Sequence, residues 1–503
     1  MDTDVLVVGA GPTGLMLANW LAKLGIGAII ADAKSGTTRE SRALGLQARS
    51  IEIYAQLGLA DEVLAQAREA PAARFGLGPR MFHRVPFAAL GEGLTPYPRV
   101  YMLEQSRNEQ ILDDNLRLLG REVLWEHAFQ SVTETGDGVE ARLDHGGETV
   151  SVTARYLVGA DGASSAVREA RGIRFTGTTN PQTFCVIDAD GVTGIDEEAI
   201  NIRPATTDFL LTFPMSGAGH ARVITVVPSA VSDGADPETA VAERVAAQFG
   251  VHWRSASWFA AYRVHHRVAE RFRDGRVFLA GDAAHVHSPV GAQGMNTGLQ
   301  DAHNLAFAFA DVLRRGADDD TLDRYERERR PVALTLVATA DRLFSFVTSD
   351  RMLPALARRI VPRVLGGPVT SLVPRLGRAR RLFGYLSQIR VRYRMPGSEH
   401  DGQRDSVVGR RLPWAGENFQ ALRSCEWQVH EYGSVASAAV DALERSLGLT
   451  VHRFPAAPGT PLVPGEFYLV RPDGYVAGRA RASEAAARFA ALVPGGRQPV
   501  NAQ

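Results

Sequence analysis

The sequence predicts an α/β protein made of a parallel-sheet unit, a β-rich layer inserted into it twice, and a separate C-terminal unit. Three observations predict it. The first 32 residues read as strand, glycine turn, helix and strand. Alternating strand-like segments at 73–101 and 185–262 interleave with strand-turn patterns at 156–162 and 277–282. A polar, glycine-bearing tract at 395–409 then precedes a new pattern of short strands and helices. The 503 residues suit about three domains.

Composition narrows the function. An apolar share of 45 % and a charged share of 22 % are those of an ordinary globular chain. Fifty-six basic against 56 acidic residues leave no net field to gather the chain on nucleic acid or anionic lipid. No apolar run approaches the length of a membrane span, and the acidic N-terminus, with Asp2 and Asp4, is unlike an export signal. The two cysteines, Cys185 and Cys425, form no metal or disulfide spacing, so a reducing cytoplasm is the expected compartment.

The first element is the apolar run 4–8, followed by Gly9-Ala10-Gly11-Pro12-Thr13-Gly14 and a helix carrying Leu17, Leu21 and Leu24. Gly9 permits the tight turn, Gly11 lets backbone approach a pyrophosphate, and Gly14 allows close helix–sheet packing. Pro12 suits the first helical position, and the helix N-terminus offers N–H groups to phosphate. Asp32, eighteen residues beyond Gly14 at the end of the second strand, is placed to accept hydrogen bonds from a ribose. The unit is a Rossmann-like dinucleotide site, and by itself it does not separate FAD from NAD. Further on, Leu299, Ala302, Leu305, Phe309 and Val312 give a helix over 298–313.

Two longer segments carry a resemblance. Leu279-Ala280-Gly281-Asp282-Ala283-Ala284-His285, with Pro289 and then 291–298 and Asp301, resembles the GD motif of class A FAD-dependent aromatic hydroxylases. Tyr156-Leu157-Val158-Gly159-Ala160-Asp161-Gly162, with Ser164, Val167 and Arg168, resembles their DG motif. Arg42, Gln105 and the segment 325–331 extend the likeness over about the first 390 residues. The C-terminal part, through 469–478, resembles the thioredoxin-like appendage of phenol-hydroxylase and polyketide-hydroxylase members. The resemblance implies an FAD-binding domain of the para-hydroxybenzoate hydroxylase type over 1–72, 102–180 and 271–394. It also implies a β-rich substrate domain over 73–101 and 181–270, and a thioredoxin-like domain over 395–503.

The implied chemistry is monooxygenation. NAD(P)H, with NADPH favoured, reduces the flavin; dioxygen adds to give a C4a-hydroperoxide, which hydroxylates a phenolic or polycyclic aromatic substrate of polyketide type. By the same resemblance Asp282 takes ribityl hydroxyls, Gln105 and Arg42 approach the ribityl and pyrophosphate, and Asp161 supports flavin and nicotinamide. Backbone at Gly294, Met295 and Asn296 meets the pyrimidine edge of the ring, Pro289 borders the reacting face, and helix N–H groups near Gly298 favour the reduced anion. Asp32 stands where the family commonly has Glu, and Ser288 and Ala292 depart from its usual residues.

Several features stay open at this level. His252, Tyr262, His265 and His266 are candidates for the base that forms phenolate, and none is singled out. His285 and His287 lack a third metal ligand, so no metal is expected. Eleven arginines at 351–400 read as a solvated helical face or an interface. Without a cysteine pair, the C-terminal domain is left a packing or dimer-contact role, and a homodimer is compatible with it. Baeyer–Villiger oxygenation or epoxidation on the same scaffold, and a non-catalytic flavin-binding sensor, are the alternatives.

Overall fold

The computed structural model describes residues 1–39, 43–205, 208–227, 236–287, 293–348, 377–396, 399–400, 403–404, 407–433 and 435–494. Arg42, Ser288, Pro289, Ala292 and the first half of the arginine-rich segment lie outside the described residues.

The strand Asp2–Val8, buried over its last four residues, pairs in parallel with Ala28–Asp32 on one side and Glu148–Gly159 on the other. A strand covered on both faces has no polar side, which is why it reads as a continuous apolar run. Val277–Leu279 and Val123–Trp125 extend the sheet at its two ends, also in parallel. A hairpin of Val139–His145 against Glu148–Gly159 adds an antiparallel wing that the sequence pattern did not reveal.

The helices that matter here, in chain order, are α1 (Pro12–Lys23), α2 (Ala48–Leu57), α3 (Gln105–Leu118), α4 (Ala166–Ala170), α5 (Pro237–Phe249), α6 (Gly294–Leu313) and α7 (Asp323–Thr348). α1 and α6 pack on the sheet through Leu15, Trp20, Leu299, Leu305 and Phe309, all fully buried. α6 starts one turn ahead of the helix expected from 298. Its first turn carries no apolar period; Thr297 N donates to the Gln293 carbonyl at 2.9 Å, and the Asn296 side chain holds neighbouring backbone.

A second sheet of eight strands runs in the order His285–Val286, Ser255–Ala269, Phe175–Asp190, Ala221–Val226, Phe209–Pro214, Ala199–Pro204, Ala72–Leu77 and Arg80–Pro86. Alternation gives it two apolar faces. Cys185, Ile187, Leu210 and Val223 pack under α5 through Val241, Val245 and Phe249. Phe184, Val186, Leu211, Phe213 and Ile224 face the other way, onto Leu44, Val100 and Met102 of the first unit. The strand His285–Val286 links the two units, because it follows Val277–Leu279 of the first sheet and pairs with Ser255–Ala269 of the second. The C-terminal unit is a four-stranded mixed sheet, Val451–Phe454, Gln428–Tyr432, Glu466–Val470 and Val476–Arg481, with helices Ser437–Leu447 and Ala482–Ala490 packed on it. Among the described residues no helix is long and apolar enough to cross a membrane.

Candidate functional site

The glycine turn after the first strand is shaped by two kinds of crowding. Gly9 holds φ at +105°, and a Cβ there would lie 2.4 Å from the Ala160 carbonyl oxygen. A Cβ on Gly14 would lie 1.8 Å from the Gly9 oxygen. Gly11, the residue that caps α1, meets nothing within 4 Å. Two glycines are thus demanded by the protein's own backbone, and the third faces open space above a helix N-terminus that no side chain caps, with Pro12 as first helical residue. Asp32 anchors the turn: its carboxylate accepts from Ala10 N at 2.6 Å and from Lys34 N at 2.8 Å.

Around this turn the structure gathers the DG and GD segments. Asp161 follows Ala160 beneath Gly9 and accepts from Val167 N at 3.1 Å, which starts α4. Its other oxygen is buried without a hydrogen-bond partner, and burial raises its pKa. Gly281, at φ +61°, opens a single helical turn that carries the exposed Asp282. A Cβ on Gly281 or on Gly298 would come within 2.4 Å of Thr13 Oγ1, so α1, the Gly281 turn and α6 meet with only a threonine between them. Gln105, the first residue of α3, accepts from Ala43 N at 3.3 Å and donates to Glu109 at 2.9 Å, which ties Ala43 to α3.

At the start of α6, Gly294 and Met295 are half-buried and Asn296 is fully buried. Asn296 Oδ1 accepts from Gln47 N at 2.8 Å and Ser50 Oγ at 2.7 Å, and its Nδ2 donates to the Gly45 carbonyl at 2.7 Å. Its side chain is therefore a brace that fixes the first turn of α6 against α2. Met295 Sδ takes a contact from Asn108 Nδ2 at 3.8 Å, and Asn108 is bonded in turn by Tyr54 Oη.

Beneath the GD segment lies a buried charged group to which the sequence reading gave no role. Asp301 accepts from Arg329 Nε at 2.6 Å on one oxygen, and on the other meets His285 Nε2 at 2.6 Å and Gly281 N at 3.2 Å. Burial opposes ionisation of Asp301, but the Arg329 guanidinium and His285 outweigh it and hold the carboxyl below its usual range. The residues lie in the GD segment and in 325–331, yet only the three-dimensional register shows that they touch.

Of the four candidate bases, alternation along Ser255–Ala269 puts Tyr262 and the buried His266 on the face that carries Phe184 and Val264. His265 points the other way, is exposed, and lies 2.9 Å from Thr179 Oγ1. His252 is exposed in a bridge to Thr193, away from this face.

These residues fit FAD. The open cradle at Gly11 suits a pyrophosphate, Asp32 a ribose, the unpartnered oxygen of Asp161 a donor from the ligand, and the N-terminus of α6 the electron-rich edge of a reduced isoalloxazine. A cavity of about 350 Å³ is lined by Leu44, Met102, Met215, Glu104 and Arg107 among others, at the small end of the range for small-molecule sites.

Comparison with known proteins agrees. A family model described as FAD binding domain matches residues 2–340. The 6-methylpretetramide 4-monooxygenase of Streptomyces rimosus is 33 % identical over 95 % of this chain and 91 % of its own. The anhydrotetracycline hydroxylase structure from Streptomyces rimosus matches with a TM-score of 0.78 at 27 % identity, covering 99 % of this chain and 100 % of that one. An aromatic hydroxylase from angucycline biosynthesis gives 0.76 at 29 % identity, over 99 % and 100 % of the two chains.

Proposed function

Because the chain belongs to the FAD binding domain family, as one of its flavin-dependent monooxygenases, we propose that it hydroxylates a neutral phenolic or polycyclic aromatic ring of polyketide type. The reductant in this reading is NAD(P)H, with NADPH ahead of NADH, the oxidant is dioxygen, and the setting is the cytoplasm. Membership as an enzyme sets aside the non-catalytic sensor.

The observation that carries the substrate class is the apolar face of the second sheet. Phe184, Phe209, Phe213, Trp258 and Tyr262 pave it, and Leu44 packs into it one residue before Gly45, whose carbonyl Asn296 holds. A flat aromatic held in the cavity at the margin of this face, where Leu44, Met102 and Met215 line it, is desolvated against apolar side chains. The relatives named above are a 6-methylpretetramide monooxygenase, an anhydrotetracycline hydroxylase and an aromatic hydroxylase from angucycline biosynthesis, which supports a polycyclic aromatic substrate.

When bound, FAD supplies electron storage and oxygen activation. The chain's own residues bind and orient: Gly11 and the α1 N-terminus take the pyrophosphate, Asp32 the ribose, and Asp282 with Gln105 and Arg42 the ribityl region. By the resemblance, backbone of Gly294, Met295 and Asn296, with Pro289, would frame the ring, and the apolar sheet would exclude water from the reacting face. In this reading Tyr262 or His266, which share that face, would hold or move a substrate proton.

The test is NADPH oxidation by FAD-loaded protein with a panel of phenols, quinones and anthracycline-like or angucycline-like compounds. Faster NADPH consumption and a product one oxygen heavier with its rings intact are expected. An unchanged substrate would refute the reading, and an expanded lactone ring would replace hydroxylation by Baeyer–Villiger chemistry.

A further inference from the structure

The turn 471–475, Arg-Pro-Asp-Gly-Tyr, carries the C-terminal unit into the interior of the molecule. Arg471 is 4 % exposed and grips Glu328 of α7 with both terminal nitrogens, at 2.6 and 2.9 Å. Asp473 balances the same guanidinium through Nε at 3.0 Å, and its backbone carbonyl accepts from Arg49 of α2 at 2.9 Å. The Pro472 carbonyl accepts from Gln56 of α2 at 2.6 Å. One short turn therefore holds two helices of the first unit.

Each helix is also bonded to α6 and, through it, to the flavin cradle. On α7, Glu328 accepts from Asn304 of α6 at 2.7 Å. The next residue, Arg329, donates to Asp301 at 2.6 Å, to the Thr297 carbonyl at 3.2 Å and to Tyr393 Oη at 3.0 Å. Asp301 in turn holds the Gly281 N–H and His285. On α2, the Gln47 N–H and Ser50 hydroxyl fix Asn296 in the first turn of α6. Tyr475 closes the circuit by stacking on Tyr393, ring centres 4.1 Å apart.

We propose that the turn Arg471–Tyr475 is a positioning element for the flavin: it locks α2 and α7 against α6, so that the Gly281 turn and the α6 N-terminus are shaped for the ring before FAD arrives. The proposal rests on the FAD assignment above, and it gives the C-terminal unit a task that needs no cysteine pair. Replacing a buried ion pair by apolar groups often leaves stability unchanged, whereas a fork-to-fork Arg–carboxylate contact admits few geometries, so its value here lies in fixing one arrangement.

The test compares wild type with Arg471→Met, Glu328→Gln, the double variant and Tyr393→Phe. Three readouts are FAD dissociation constant, two-electron potential of the bound flavin, and unfolding midpoint of the apoprotein. Arg471→Met should weaken FAD about tenfold and shift the potential, and the double variant should recover part of that loss. Tyr393→Phe, which removes one hydroxyl and keeps the stacked ring, should weaken FAD about threefold while lowering the apoprotein midpoint much less than Arg471→Met does. If Tyr393→Phe and the double variant bind FAD as wild type does, at the same potential, the proposal is overturned, even where Arg471→Met fails to fold. Wild type that takes up no FAD would instead overturn the flavin assignment itself.

Discussion

A methyl group added at Gly11 would meet nothing within 4 Å, whereas one at Gly14 would overlap the Gly9 carbonyl at 1.8 Å. Gly11 has φ −81°, ψ −175°, which alanine adopts without strain. Gly11→Ala should therefore keep apoprotein stability within about 0.5 kcal/mol and lose FAD affinity, because the methyl stands where a pyrophosphate would lie. Gly14→Ala should lose the fold itself, by more than about 4 kcal/mol. Urea unfolding of the apoproteins, paired with FAD titration, separates the two; equal FAD binding by Gly11→Ala and wild type would remove the phosphate from this turn. Asp301→Asn should cost about 3–5 kcal/mol in the same unfolding assay, because Arg329 would be left buried without its counter-charge. The glycines were readable because turn sterics are local. Asp301, His285 and Arg329 were not readable as one group, since a charged residue inside a helix pattern reads as solvent-facing until the partner that buries it is known.

At the scale of elements, strong apolar periods carried their message and weak ones did not. The central strands and the body of α6 were legible from their runs and spacing, but the first turn of α6, Gly294–Thr297, has no apolar face and is made by side-chain bonds to α2. The strand Gln428–Tyr432 has a property that follows from burial alone. His430 sits between Gln428 Oε1 and Tyr432 Oη with His452 beside it, and burial, then His452, push its imidazole down to about 3. The folded chain keeps it neutral while the unfolded chain protonates it below about 6.5, so the unfolded state gains protons as pH falls. Stability from this site is complete above about 6.5 and is lost between there and about 3, by up to about 1.4 kcal/mol per pH unit. His303 in α6, pushed well down by burial and then by Arg49, adds a loss of the same sign. His430→Gln should flatten the fall in urea midpoint between pH 6.5 and 4 relative to wild type, and an unchanged slope would mean the imidazole is not buried neutral.

For the whole molecule, the two-unit plan with an appended third was legible, because inserted β-rich segments and a polar tract leave marks in composition. What lies between the units was not, since an interface is written by residues distant in sequence. The substrate face is such an interface, and its charge balance makes a prediction. The alternation that places Phe184 and Val186 on this face places Asp188 there too, and Arg222 opposite it beside Ile224. The pair is closed on itself, Arg222 Nε and Nη2 to the two Asp188 oxygens at 2.7 Å each, with the guanidinium 5.5 Å from the Trp258 ring centre. An acidic substrate would have to shed water against a face whose cation is already matched, and an uncharged ring system would not. A neutral polycyclic phenol should therefore exceed its carboxylate-bearing analogue in kcat/KM by at least about tenfold, near 1.4 kcal/mol. Asp188→Asn, which leaves Arg222 with an unmatched charge, should narrow that gap by raising the rate on the carboxylate. If wild type takes both substrates equally, or if Asp188→Asn leaves their ratio where it was, the aromatic sheet is not the surface that selects the substrate.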